Sequence, residues 1–180
     1  MRIISGYLRS RIISVPKSVA NLRPTTDRAR ETLFNLLSTR IELEGKNILD
    51  LYCGSGSLGI ECLSRGSSGC TFVDLFPNTV KMNIEELALK DKSRIVRNDS
   101  VRFLKSLEEN PFDIIFADPP YGYGGYDKLL DETRRLRATL VLEHSEKFFQ
   151  QEKHSDYLFL RKEIGIAVFS FYDFKNYDEK

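Results

Sequence analysis

The sequence predicts an α/β fold, a mostly parallel and doubly wound sheet that carries a small N-terminal hairpin and helix. Three observations support this. Short apolar, β-rich runs alternate with stretches of helical period along the chain. A glycine-rich turn, Gly54-x-Gly56-x-x-Gly59, follows one of those runs and opens a helix. Acids recur where the runs end, at positions 50, 74, 99 and 118.

Residues 2–5 and 11–15 are β-rich and are joined by Gly6-Tyr7-Leu8-Arg9-Ser10, which predicts a hairpin displaying Tyr7, Arg9 and Arg11. Pro16 and Pro24 bracket a loop. Helix begins near Thr26, with Asp27 placed in the first turn where it suits the dipole. Ala29, Leu33, Phe34, Leu36 and Leu37 give this helix an apolar face, and Arg23, Arg28 and Arg30 cluster at its start. After Gly45, residues 47–51 read as a strand and about 57–65 as a helix. Strand 70–74, helix 78–89, strand 94–97 and helix 101–108 follow. Pro111 then breaks the pattern before strand 112–117. A glycine- and tyrosine-rich loop (122–126), helix 127–137, strand 139–143 and two closing strands, 157–160 and 164–171, complete the chain. The expected organisation is a basic extension (1–40), one main domain (41–172) and a frayed tail (173–180).

The 180 residues suit one domain, and 41% hydrophobic content fills its core. No apolar run approaches the roughly 20 residues of a membrane span, and Met1-Arg-Ile-Ile-Ser-Gly lacks the apolar region of a signal peptide. Cys53, Cys62 and Cys70 are odd in number and form no C-x-x-C pair, so free thiols in a reducing cytosol are expected, with no metal site. Net charge is +1, but it is unevenly spread: residues 1–40 hold eight bases against two acids, and the remainder is net acidic. Seven of those eight bases are Arg, whose planar fork suits phosphate and base stacking. A basic segment on a mildly acidic body fits a nucleic-acid grip on a catalytic domain, or equally a solvated face.

A G-x-G-x-x-G turn serves NAD, FAD and S-adenosylmethionine alike. Asp50, four residues before Gly54, narrows the choice, because a carboxylate there repels a pyrophosphate and attracts a cationic amino-acid moiety. S-adenosylmethionine, with its ammonium and sulfonium, meets that requirement along Asp50, Gly54 and Gly56. Asp74, twenty residues beyond Gly54, is placed to take both hydroxyls of a ribose. Asp99 and Ser100 are placed to meet an adenine edge. The tetrad Asp118-Pro119-Pro120-Tyr121 is the most specific feature. Its prolines remove two backbone donors and stiffen the turn, which is expected to leave carbonyls outward and unpartnered. A carboxylate and a free carbonyl can accept both hydrogens of an amino group on a base, and Tyr121 offers a face for stacking.

Asp50-x-x-x-Gly54-x-Gly56 with Asp118-Pro-Pro-Tyr121 resembles the class I S-adenosylmethionine-dependent amino methyltransferases. More narrowly, Met1-Arg-Ile-Ile-Ser-Gly, Arg23-Pro-Thr-Thr-Asp-Arg28, Glu31-x-Leu-Phe-Asn35, Leu58-Gly-Ile-Glu61, Leu63-Ser-Arg-Gly66 and Leu142-Glu-His144 resemble the bacterial 16S rRNA guanine-N2 methyltransferase family (RsmD), over about residues 1–145. The resemblance implies a Rossmann-like class I sheet that binds S-adenosylmethionine through Asp50, Gly54, Gly56, Asp74, Asp99, Ser100 and Asp118. It implies a target guanine at Asp118, Pro119, Pro120 and Tyr121. It also implies that Arg9, Arg11, Arg23, Arg28 and Tyr123 meet 16S rRNA, within the 30S subunit or its assembly intermediate. A cytoplasmic monomer is expected. Alternatives are an amino methyltransferase acting on DNA adenine or a protein amide, and a non-catalytic RNA-binding or assembly factor on the same scaffold. His144, just past the fifth strand, reads either as a structural histidine or as a contact to RNA or the target base.

Overall fold

A computed structural model describes residues 1–15, 27–120, 122–145, 154–165 and 167–175. After the hairpin come α1 (Asp27–Ser38), β1 (Asn47–Leu51), α2 (Ser57–Ser64), β2 (Gly69–Asp74), α3 (Asn78–Glu86), β3 (Ser93–Arg97), α4 (Ser100–Lys105), β4 (Ile114–Ala117), α5 (Tyr126–Arg135), β5 (Thr139–His144), β6 (Leu158–Ile164) and β7 (Ala167–Asp173). The sheet runs β3-β2-β1-β4-β5-β7-β6. Strands β1 to β5 are parallel, and β7 is antiparallel to both of its neighbours.

The central strands are apolar on both sides because both sides are covered. Ile48, Phe72, Ile114, Phe116 and Phe169 point into one core with α1, α2 and the hairpin residues Ile3, Leu8 and Ile13. Leu49, Val73, Ile115, Leu140 and Leu142 point into the other, with Phe103 of α4 and Leu129 and Leu130 of α5. The basic extension therefore shares its core with the sheet.

From α1 onward the predicted helices and strands are present, with shifted ends; the loop between Pro16 and Pro24 and the helix start near Thr26 lie outside the described residues. Leu158–Ile164 is one strand where the sequence suggested a break after 160. Arg161, Lys162 and Glu163 look like loop residues, but β6 is an edge strand, where charged side chains are favoured. The hairpin contains one antiparallel bridge, Arg2 to Ile12, in place of two full strands. What holds it is a side chain. Buried Glu61 accepts the Ile4 and Ser5 amides at 2.8 and 3.0 Å, and Ser64 Oγ accepts the Leu8 amide at 3.0 Å. Order also extends into the stretch expected to fray: Asp173 closes β7, and Phe174 is buried and stacked on Tyr172. Among the described residues no helix is long and apolar enough to cross a membrane.

Candidate active site

Sheet order reverses between β1 and β4. The chain leaves β1 toward β2 on one side, and β4 lies on the other, so a crevice opens beyond their carboxyl ends. Leu51 pairs with Ala117, which brings the glycine turn and the Asp118 tetrad out of the sheet side by side. The Asp118 amide still points at the Leu51 carbonyl, 3.5 Å away.

Asp50 is buried in β1, and its Oδ2 accepts the Gly59 amide at 2.9 Å. Gly59 lets α2 lie this close to the sheet, because a Cβ there would meet the Phe72 ring at 2.4 Å and Cys70 Sγ at 2.5 Å. Burial pushes the Asp50 carboxyl up to about 7; the Gly59 amide opposes this and the Asp74 charge adds to it. Asp50 thus anchors α2 while carrying a carboxylate that a nearby cation would relieve.

Asp74 serves the backbone too. Its Oδ2 accepts the Gly54 amide at 2.9 Å and its Oδ1 the Phe76 amide at 2.8 Å. Each oxygen retains a lone pair for a hydroxyl. Asp99 caps α4 by accepting the Arg102 amide at 2.9 Å. Ser100 is buried at the first position of α4. These residues of the glycine turn, β2 end and α4 cap border one edge of the sheet.

Asp118 keeps access to solvent at the tip of β4, while protein crowds it on its other sides. That crowding first, then the charges of Glu143 and Asp50, push its carboxyl well above the usual carboxylate range. Solvent access tempers the shift without reversing its sign. Pro119 is buried and Pro120 exposed. The expectation of outward, unpartnered carbonyls fails at Pro120, whose carbonyl accepts the Tyr123 amide at 3.0 Å and closes the turn. Tyr121 and Arg23 lie outside the described residues.

Two side chains at the site were not singled out from the sequence. Glu143 is the penultimate residue of β5, which lies beside β4, so it is a further acid near a strand's carboxyl end, and that position was its signal. Tyr52 follows β1 with a left-handed φ of 56° and bonds Tyr123 across 71 residues, a pairing no local pattern reveals.

Arg9, Arg11 and Arg28 are exposed. Arg30 is not part of that basic cluster. It is fully buried, donating from Nη2 to the Arg2 carbonyl and to Asp27 Oδ1 at 2.7 Å. His144 is held between Ser170 Oγ and the Ser145 carbonyl, each at 2.8 Å, and burial lowers its pKa. His154, to which the sequence assigned nothing, meets Asp131 at 3.1 Å. The three cysteines are buried, with thiols pushed up chiefly by burial.

The family model described as Conserved hypothetical protein 95 matches residues 1–173. The chain is 38% identical to the candidate rRNA methyltransferase YlbH of Bacillus subtilis, over 94% of this chain and 98% of that one. It is 39% identical to the ribosomal RNA small subunit methyltransferase D of Buchnera aphidicola, over 84% of this chain and 78% of that one. Among solved structures, the candidate methyltransferase yhhF of Escherichia coli superposes with a TM-score of 0.80 at 29% identity, covering 96% of this chain and 97% of that one. The fold is shared by SMU.776, a candidate methyltransferase complexed with SAH, at a TM-score of 0.62 and 14% identity over 79% of this chain and 49% of that one. Sheet order, the paired tips of β1 and β4, and the match over residues 1–173 agree: this chain belongs to the Conserved hypothetical protein 95 family, that of the small-subunit rRNA methyltransferases D (RsmD).

Proposed function

We propose that this protein transfers a methyl group from S-adenosylmethionine to the exocyclic N2 of a guanine in 16S rRNA. The observation that carries the reading is the register of β1 against β4. It sets a carboxylate at the tip of one strand beside the glycine turn of the other. The names of its relatives, rRNA methyltransferases, support the substrate class.

The residues present fit the cofactor. Asp50 is a buried carboxylate with a raised pKa, which a ligand cation would relieve, and Asp74 has lone pairs left for a ribose. Gly54, Gly56, Asp99 and Ser100 complete that wall. When bound, S-adenosylmethionine supplies a methyl group already activated on a sulfonium. What remains for the chain is alignment and electrostatics.

A guanine amine is a poor nucleophile because its lone pair is delocalised into the ring. Asp118 and the Pro119 carbonyl, accepting its two hydrogens, favour a more tetrahedral nitrogen and stabilise the positive charge that develops there. The extra proton leaves the nitrogen after transfer, so no separate strong base is needed. Tyr121 stacks on the extruded base. Arg9, Arg11, Arg23 and Arg28 grip the RNA backbone. The protein works in the cytoplasm as a monomer, on the 30S subunit or its assembly intermediate.

The test is tritiated methyl transfer to purified 30S subunits, naked 16S rRNA and DNA, followed by nucleoside identification. N2-methylguanosine from rRNA is expected. Methyladenine from DNA would move the reading to another amino methyltransferase. Cofactor binding without transfer to any of the three would make the protein a non-catalytic RNA-binding factor.

A further inference from the structure

Tyr52 and Tyr123 stand on the two loops that flank the crevice: Tyr52 just after β1, and Tyr123 just after the Asp118 tetrad. Their hydroxyls are 2.8 Å apart, with Tyr52 donating. Their rings meet edge to face at 5.4 Å, and the Tyr123 ring meets Tyr126 edge to face at 5.1 Å.

Two backbone features are built for this pairing. Tyr52 occupies the left-handed region, at a φ of 56°, which a residue with a Cβ adopts only when its surroundings hold it there. Across the crevice, the Tyr123 phenol is folded back over Gly125. A Cβ at Gly125 would lie 2.5 Å from that hydroxyl oxygen and 2.6 Å from the ring carbon bearing it. The Tyr123 amide is itself fixed by the Pro120 carbonyl at 3.0 Å. The loop of three glycines at 122, 124 and 125 is thus pinned at its single bulky residue.

We infer that Tyr52 and Tyr123 are a pair of positioning residues. Their bond sets the loop after the tetrad as the outer wall of the slot before Asp118. The inference deepens the proposed function and rests on it. The wall is in place before RNA arrives, so the base meets a shaped slot and the loop is not ordered at the expense of binding. The pair acts on the RNA side: it governs how well the base is held and leaves methyl transfer from a bound base unchanged.

Y52F, Y123F and the double variant separate these roles, with G125A as a route that leaves both phenols intact. Each single variant should raise KM for 30S or 16S rRNA roughly fivefold, the worth of one neutral hydrogen bond. kcat and the dissociation constant for S-adenosylmethionine should stay within about twofold. The double variant should be no worse than the singles, because the two hydroxyls act as one unit. G125A should also raise KM, because its methyl displaces the Tyr123 phenol. Unchanged KM in both single variants, effects that multiply, or an equal loss of cofactor affinity would overturn the inference. Amide hydrogen exchange needs no substrate: exchange at residues 122–126 should quicken in Y52F, and an unaltered rate would overturn the latch even if the wild type methylated no RNA. An inactive wild type with quickened loop exchange would instead count against the proposed reaction alone.

Discussion

Asp50 and Asp118 lie on neighbouring strands under different constraints. Asp50 is enclosed and already bonded to α2, whereas Asp118 is exposed at the tip of β4. The Asp50 carboxyl titrates at about 7 in the folded chain against an ordinary 3.8. The folded state therefore holds more protons than the unfolded one between those values. The stability this group contributes is complete below about 4 and is lost as pH rises through about 7. Asn keeps the acceptor and removes the charge. D50N should thus melt above the wild type at pH 8, the gap should narrow as pH falls below 7 and close below about pH 4, and its affinity for S-adenosylmethionine should fall; thermal scans and calorimetry measure these. For Asp118, D118A should abolish methyl transfer while cofactor affinity stays within a small factor. Because crowding by protein, and after it the charges of Glu143 and Asp50, raise the Asp118 carboxyl, the acid limb of kcat/KM should lie above that of an ordinary aspartate. E143Q removes one such neighbour and should move that limb to lower pH.

At the scale of elements, alternation of strand and helix was legible because both faces of the central strands are buried and their apolar runs are unbroken. The acids at strand ends were legible for a related reason: a charge closing an apolar run marks where the sheet meets solvent or ligand. What could not be read was held by partners distant in sequence. The hairpin depends on Glu61 and Ser64, more than fifty positions away, so its weak strand pairing gave no hint of how firmly it is docked. Nor could Tyr52 and Tyr123 be paired, or Arg30 be told from the exposed arginines around it. E61A leaves the Ile4 and Ser5 amides and Arg65 without their acceptor. It should cost about 2–4 kcal/mol, read as a lower urea midpoint at unchanged slope. Asn83 makes a second tie of this kind, joining Ser14 by two bonds to α3 and, through Ser55, to the glycine turn.

For the whole molecule, charge is divided as the core is not. The first 40 residues are net basic and the rest net acidic, yet both halves fill one hydrophobic cluster. A rigid basic face should bind RNA with a steep salt dependence. Replacing Arg9 and Arg11 together by Ala should weaken binding to 30S subunits and flatten the log–log salt slope by about one for each phosphate no longer neutralised. Cofactor affinity should be untouched.

Strand β7 follows β6 in the chain and yet lies between β6 and β5. While the protein is being synthesised, β5 therefore waits with an open edge, and β6 has nowhere to attach until residues 167–173 emerge. The half-made sheet is a template without its seal. A premature stop anywhere before that point would release a fragment whose exposed edge invites other chains, so the sheet is sealed only once residues 167–173 have been made.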